Sequence, residues 1–266
     1  MEQPEDYLDV NRASWNQRTD HHLRSEFYDV EGFIHGKTSL NSIELDLLGD
    51  VAGTDVLHLQ CHFGQDSLSL ARMGARVVGV DLSDRAIEAA RDLNDRMQLN
   101  AQFVQSDVYG LDERLDRKFD TVFTTYGVLG WLPDMDRWAK VVDHFLKPGG
   151  RLILAEFHPV VWMYDDQFQR IDYSYFNRAV IRETETGTYT DTKATFEAEY
   201  VSWNHGLGEV LGSLLQRGLT IRDFKEYDYS PYDCFTPTVE VGERQFRIKH
   251  LDARIPMVYS VVAQKG

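Results

Sequence analysis

Residues able to do chemistry are thinly spread along this chain. It has nine histidines and two cysteines, Cys61 and Cys234. His158 is the best placed of the histidines. It follows the apolar run Leu152-Ile153-Leu154-Ala155, so it stands where a strand ends. A general base must come within about 2.6–3.2 Å of the proton it takes. His158 suits that task, and before Pro159 it equally suits a plain turn. Tyr126 follows another apolar run and either faces an acceptor or packs. His62 either points into a binding site or stacks on Phe63. His205 suits helix capping as well as chemistry, and His21 and His22 suit a surface or a lid. Asp81 and Asp107 each close an apolar run, where an acid can receive hydroxyl or amino donors or form a turn. Glu156 and His158 alternate on one strand, but two ligands are too few to hold a metal, so none is expected. No Gly-x-Ser-x-Gly elbow occurs, which speaks against hydrolase chemistry.

Periodicity marks the elements that must position these residues. Val56-Leu57-His58-Leu59 reads as a strand, followed by a loop over 60–65 and a helix over 66–73 that Gly74 closes. A β-branched strand runs to Asp81. Ser83 then caps a helix whose apolar stripe is Ala86, Ala90, Leu93 and Met97. Strands over 101–104 and 119–123 follow. A helix over 135–146 has Trp138, Val141, Val142 and Phe145 on one side. Lys147-Pro148-Gly149-Gly150 stops it ahead of a strand over 151–157. After an aromatic stretch the pattern resumes with a helix over 207–217 and strands over 220–226 and 257–263. Apolar strands alternating with amphipathic helices predict an α/β fold, a largely parallel sheet covered on both faces. Such sheets bind ligands at the carboxyl ends of their strands. That selects the loops after positions 59, 81, 107, 124 and 157.

The first of these loops excludes one ligand class. A dinucleotide needs several glycines so that backbone can approach its pyrophosphate. Here Gln60, His62 and Phe63 fill the loop and only Gly64 remains. A ligand with an adenosine end and no phosphates tolerates those side chains better. Asp81, after the second strand, stands where an acid receives two ribose hydroxyls. Asp107 could receive an adenine amino group. Five segments in order resemble the class I S-adenosylmethionine-dependent methyltransferases. They are similar to the bacterial small-molecule enzymes of the ubiquinone type. The segments are Val56-Leu57-His58-Leu59-Gln60-Cys61-His62-Phe63-Gly64; Val78-Gly79-Val80-Asp81-Leu82-Ser83; 103–108; 119–133; and Leu146-Lys147-Pro148-Gly149-Gly150.

The resemblance implies a Rossmann-like, mostly parallel seven-stranded sheet with helices on both faces. It implies S-adenosylmethionine as cofactor. It places cofactor contacts at Leu59, Gln60, Cys61 and Gly64, at Asp81 and Leu82, at Asp107 and Val108, and at Thr125 and Tyr126. His158 and Tyr126 become the candidates nearest the reaction. The chain departs from the pattern in the first loop: His58 replaces an acid, and Gln60 and His62 replace glycines. The loop is expected to bind through its backbone and the Gln60 side chain, helped by the N-terminal segment.

Charge narrows the partners. Lys and Arg number 28 against 43 Asp and Glu, a net charge of −15. Phosphate backbones and anionic membranes are held by clustered cations, so neither nucleic acid nor a membrane surface is expected. No apolar run approaches the roughly 18–20 residues that cross a bilayer. The acidic start lacks a secretory leader, and two cysteines make no disulfide framework, so a cytoplasmic protein is expected. Residues 1–45 are expected as a helical lid segment, with Trp15, Tyr28 and Phe33 in it. Residues 46–266 are expected as one methyltransferase domain, with an inserted antiparallel segment at about 158–207. The many aromatics of that insertion suit an acceptor pocket or a homodimer interface, and 227–235 suits a second pocket wall. The favoured activity is methyl transfer to an O or N atom of a small molecule. The rivals are a non-catalytic S-adenosylmethionine-binding or interaction protein, and an NAD-dependent oxidoreductase, which the missing glycines disfavour.

Overall fold

The computed structural model describes residues 4–191 and 194–266. Three helices, α1 (Tyr7–His22), α2 (Val30–Ile34) and α3 (Ser42–Leu48), precede the first strand. Strands and helices then alternate: β1 (Asp55–Leu59), α4 (Gln65–Arg72), β2 (Arg76–Asp81), α5 (Asp84–Arg96), β3 (Gln102–Gln105), β4 (Phe119–Thr125), α6 (Met135–Phe145) and β5 (Leu146–Phe157). A hairpin of β6 (Ile181–Thr186) and β7 (Glu197–Ser202) interrupts them. After α7 (Leu207–Gln216) and β8 (Thr220–Tyr227) comes a second hairpin, β9 (Thr238–Gly242) and β10 (Gln245–Ile248). The last strand is β11 (Val258–Gln264).

Seven strands form one sheet in the order β3-β2-β1-β4-β5-β11-β8. The first five are mutually parallel, and β11 runs antiparallel to both β5 and β8. The direction of the chain reverses beside β1, the switch in strand order beside which α/β sheets bind ligands. Period 2 sorts the core. Leu57, Leu59, Val78, Val80, Val122 and Leu154 face α6 and α7 with Trp138, Val142 and Leu214. Their neighbours Val56, Val77, Phe123 and Ile153 face the other way, onto Leu68, Ala86 and Leu93 of α4 and α5. A strand buried on both faces is mainly apolar, and β1, buried at all five positions, is so at Val56, Leu57 and Leu59, with Asp55 and His58 as its polar members. Ser83 caps α5 as its sequence predicts, its side chain accepting from Ala86 N at 2.9 Å. Lys147-Pro148-Gly149-Gly150 does not separate helix from strand as expected. The segment already belongs to β5, and a register shift against β4 absorbs it.

The N-terminal 45 residues do not behave as one unit. Phe33, Leu40 and Leu48 belong to the core beside α4, and Ile43 to a second cluster beside β5. α1 lies over the ends of β1 and β2, while α3 brings Glu44 to the end of β4. The first helix is pinned from two sides. Asn11 spans the backbone of Val201 in β7, donating to its O and accepting from its N, both at 2.8 Å. Asn16 accepts from Ser83 Oγ at 2.6 Å, and Asp20 pairs with Arg85 at 2.8 Å. Hence α1 and the β6–β7 hairpin form one layer across the ends of β1 and β2.

Candidate functional site

The loop after β1 keeps a glycine-type backbone at two positions that are not glycine. Gln60 (φ 56°), His62 (φ 50°) and Gly64 (φ 81°) all take left-handed conformations. For a non-glycine residue this costs of order 1–3 kcal/mol, so surrounding contacts must hold it. Gln60 Nε2 donates to Val128 O at 2.8 Å, and His62 N donates to Asp81 Oδ2 at 2.7 Å. Gly64 is the position that tolerates no side chain, because a Cβ there would meet the Phe103 ring at 2.7 Å. Two buried atoms in this loop have no partner, Gln60 Oε1 and His62 Nδ1.

The histidines here are neutral. His62 Nε2 lies 2.8 Å from His22 Nδ1, and His22 Nε2 lies 2.7 Å from Thr188 Oγ1 on the hairpin. Burial lowers the His62 pKa to about 3 and that of His22 to about 2. His58, at the family's acidic position, is buried against Ser67 Oγ at 2.8 Å, its pKa lowered to about 3 by burial. It therefore supplies no charge. Trp15 of α1 closes this corner, its ring 5.3 Å from both His62 and Trp131.

Asp81 ends β2 with both oxygens engaged, Oδ2 by His62 N and Oδ1 by Ser83 N at 2.9 Å. Burial raises its pKa to about 6. Asp107 is half-buried, its pKa raised by burial against the opposing pull of the Val108, Tyr109 and Gly110 amides. Three of the expected contacts keep their side chains in the core. Leu59 and Val108 lie in the α6–α7 core, and Cys61 packs beneath Gly79, so each offers only backbone. Leu82 is half-buried, and its O already accepts from Gln105 Nε2.

A carboxylate organises the loop after β4. Glu156 accepts from the N–H groups of Gly127, Val128, Leu129 and Phe157. That fixes 126–131 over the sheet edge, where Gln60 grips Val128. Tyr126 (φ 44°) turns to the α3 side, and its OH donates to Glu44 Oε2 at 2.8 Å. Its ring meets Phe157 and Tyr232 at 5.6 and 5.1 Å. Thr125 Oγ1 reaches Asp66 Oδ2 at 3.4 Å.

His158 goes elsewhere. Alternation along β5 places it on the face opposite Phe157, the residue that meets Tyr126. Its Nε2 lies 3.0 Å from Glu226 Oε1, off the line of a hydrogen bond, and its ring meets Tyr259 edge-on. The structure thus separates the two residues nominated for the reaction. His205 contacts Leu132 O at 2.7 Å and Glu209 at 3.1 Å, anchoring α7 to the loop before α6. Sequence reasoning missed Glu44 and Asp66, held Tyr232 only within the 227–235 wall, and gave His22 only as a surface or lid residue. Asp66 carried a faint signal, an acid in the first turn of the helix after the first loop. The others come from distant elements with no shared pattern.

Residues 56–150 match the family model described as "Methyltransferase domain". That stretch is similar in sequence to a methyltransferase domain. A ubiquinone biosynthesis O-methyltransferase from Xanthomonas oryzae pv. oryzae is 30% identical over 136 residues, half of this chain and 56% of that one. The chain therefore spans little more than half of that relative's length. An S-adenosylmethionine-dependent methyltransferase from Mesorhizobium loti shares the fold with a TM-score of 0.58 and 21% identity, over 87% of this chain and all of that one. Another, from Clostridium acetobutylicum, gives 0.59 at 16% identity over 95% and 99%. The seven-stranded sheet is the class I methyltransferase fold. Beyond the methyltransferase domain the chain adds α1, which covers the first strand-end loop. Two open clefts, of about 560 and 390 Å³, lie outside α1 on residues 21–31, one against α5 and one against Thr190 and Asp191. Neither is lined by the strand-end residues. No helix among the described residues is long and apolar enough to cross a membrane.

Proposed function

We propose that the chain is an S-adenosylmethionine-dependent methyltransferase acting on a small-molecule acceptor. One observation carries the reading: the unpartnered Gln60 Oε1 and His62 Nδ1, buried beside Asp81 at the switch in strand order. Orphaned buried polar atoms are rare in folded proteins unless a ligand completes them. The residues present fit this cofactor. Asp81 and Asp107 are acceptors for hydroxyl and amino groups at the adenosine end. Gln60 Oε1 suits an ammonium at the other end, and the Nε2 bond to Val128 holds it there. When bound, the cofactor supplies an electrophilic methyl group on a sulfonium.

The chain's own part is placement and exclusion of water, the main protein contributions to a displacement of this kind. Glu156 holds the loop after β4 in place through four backbone amides. Trp15, His22 and the hairpin cover the loop after β1. α1 therefore serves as the lid, while residues 30–48 are core. Calorimetric titration with S-adenosylmethionine and S-adenosylhomocysteine tests the reading. Binding in the micromolar range is expected, and no heat at millimolar ligand would sink it. Trp15→Ala should weaken binding several-fold with the melting temperature little changed, whereas a cut after residue 40 would also remove Phe33 and Leu40 from the core.

A further inference from the structure

The side chains around Tyr126 form a second polar cluster, away from the orphaned atoms of the first loop. Glu44 of α3 is fully buried. Its Oε1 accepts from Asn41 N at 3.2 Å and Asn41 Nδ2 at 3.0 Å, and its Oε2 accepts from Tyr126 OH. Asp66 of α4 lies near enough to raise the Glu44 pKa, which burial and that repulsion bring to about 7. Among the described residues neither acid has an arginine or lysine in ion-pair contact. Arg244, at the β9–β10 turn, acts on Asp66 only at longer range. Buried charges are normally paired, because an isolated one costs too much.

An independent observation shows what is missing. Asn41 is 4% exposed; its side chain stands at the N3 amide of α3 in a capping box with Glu44, yet among the described residues no hydrogen bond of full geometry reaches its Oδ1. The unfilled capacity of this cluster is acceptor capacity, on an amide oxygen and two carboxylates. Aromatic rings border it: Tyr126 and Tyr232 meet at 5.1 Å, Tyr126 and Phe157 at 5.6 Å, and Phe27 stacks on Tyr232 at 5.7 Å. An ammonium group offers three donors and no acceptor, carries the missing charge and is attracted by aromatic faces. A carboxylate or phosphate would meet two like charges.

We infer that the acceptor is an amine, bound as its ammonium between Glu44, Asp66 and Asn41, with Glu44 as the base that frees its lone pair. This rests on the methyltransferase reading. The ammonium proton passes to a Glu44 carboxylate oxygen. The neutral nitrogen then forms the new N–C bond while the C–S bond of the donor breaks, its electron pair staying on sulfur. The product leaves as an N-methylammonium, and the proton held by Glu44 returns to solvent, which restores the carboxylate. Tyr126 positions Glu44 through its OH.

The test uses tyramine, which offers an amine and a phenol on one aromatic body, with phenylacetate as the anionic control. The full-length protein and S-adenosylmethionine carrying a labelled methyl group complete the assay. N-methyltyramine is the expected product, and phenylacetate should remain unchanged. Glu44 is faced by Asp66, Tyr126 and Tyr232, with Arg244 beyond Asp66, so the pH profile must separate these groups. The wild-type rate should rise with pH through about 7. Glu44→Gln should lose that limb and on the order of 100-fold in kcat/KM, with cofactor binding by calorimetry unchanged. Asp66→Asn should keep the limb but move it to lower pH, since a repelling charge is gone; a merely structural role would not shift it. An O-methyl product, no methylation by protein that binds cofactor, or an unaltered limb in folded Glu44→Gln would overturn the amine assignment. Failure of the wild type to bind cofactor would instead sink the methyltransferase reading, and this inference with it.

Discussion

The two ends of the central sheet treat the same residue type in opposite ways. At the amino end, Asp55 opens β1 among three cations: Arg76 Nε at 2.7 Å, Arg117 at 2.5 Å and Lys147 Nζ at 2.7 Å. The Arg76 hydrogen bond, helped by Lys147 and Arg117 and opposed by desolvation, holds its carboxyl well below the usual range. Asp120 shares Lys147 and accepts from Asp55 N at 2.8 Å. At the carboxyl end, Glu44, Asp66, Asp81, Asp107 and Glu156 are raised by burial, and none has an ion-pair partner among the described residues. An acid that is paired within the chain clamps strand starts together. An acid left unpaired keeps its capacity for a ligand, which is why perturbed acids gather at functional sites.

The sharpest way to break this contrast is to neutralise one acid at each end. Asp81→Asn should weaken S-adenosylmethionine binding by about 10- to 100-fold, the range of roughly 1.5–3 kcal/mol for a hydrogen bond to a charged group, with the melting temperature nearly unchanged. Calorimetry and thermal melts read both quantities; a large loss of stability with intact affinity would reverse the assignment. Asp55→Ala should do the opposite. About 1–3 kcal/mol of stability should go, reduced from the buried-pair range because Arg76, Arg117 and Lys147 are partly exposed, while affinity stays.

The two ends also carry opposite signs in pH. Asp55, lowered in the fold, contributes stability that is present above its unfolded pKa near 4 and is lost as pH falls below it. Glu44 and Asp81, raised to about 7 and 6, hold protons in the fold that the unfolded chain has released. Each removes stability as pH rises from about 4 through those values. His22, His58 and His62, neutral in the fold, act the other way and remove stability as pH falls below about 6.5. The wild-type profile sums these groups with the raised Asp66, Asp107 and Glu156, so the test is a difference between two sets of thermal melts from pH 4 to 8. Glu44→Gln should make the change of stability with rising pH more favourable than in the wild type, and a less favourable change would contradict the sign. The smallest effect is reserved for His158→Ala. Bound toward Glu226 on the far face of β5, it should change methyl transfer by less than about threefold, against the 10²-fold or more typical of a lost general base. A larger fall would return His158 to the reaction.

Much of the sheet could be read directly. Val56–Leu59, Arg76–Asp81 and Phe119–Phe123 were evident because strands buried on both faces are short, mainly apolar and rich in β-branched and aromatic residues. Ser83 declared its cap through its type and position. Asp81 was evident as an acid at the end of the second strand. The face taken by His158 was also within reach, since it alternates with Glu156 and Glu156 turns toward the α6–α7 side. The backbone of the loop after β1 was not, because replacing glycine with Gln60 and His62 suggests a different conformation, and only neighbouring contacts hold the left-handed one. Nor was the meeting of Glu44, Asp66, Tyr126 and Tyr232, which come from four separate segments.

By itself the sequence determined the α/β architecture, the strand-end loops and the acids Asp81 and Asp107 that stand at them. Those follow from period, caps and local spacing, each decided within a few residues. Tertiary structure alone decided that α1 covers the first loop, that His58 and His62 are neutral, and that Glu44 and Asp66 face one another without a counter-ion among the described residues. Those depend on what distant segments bring together and on how much water they shut out, and burial and pairing are properties of the assembled chain.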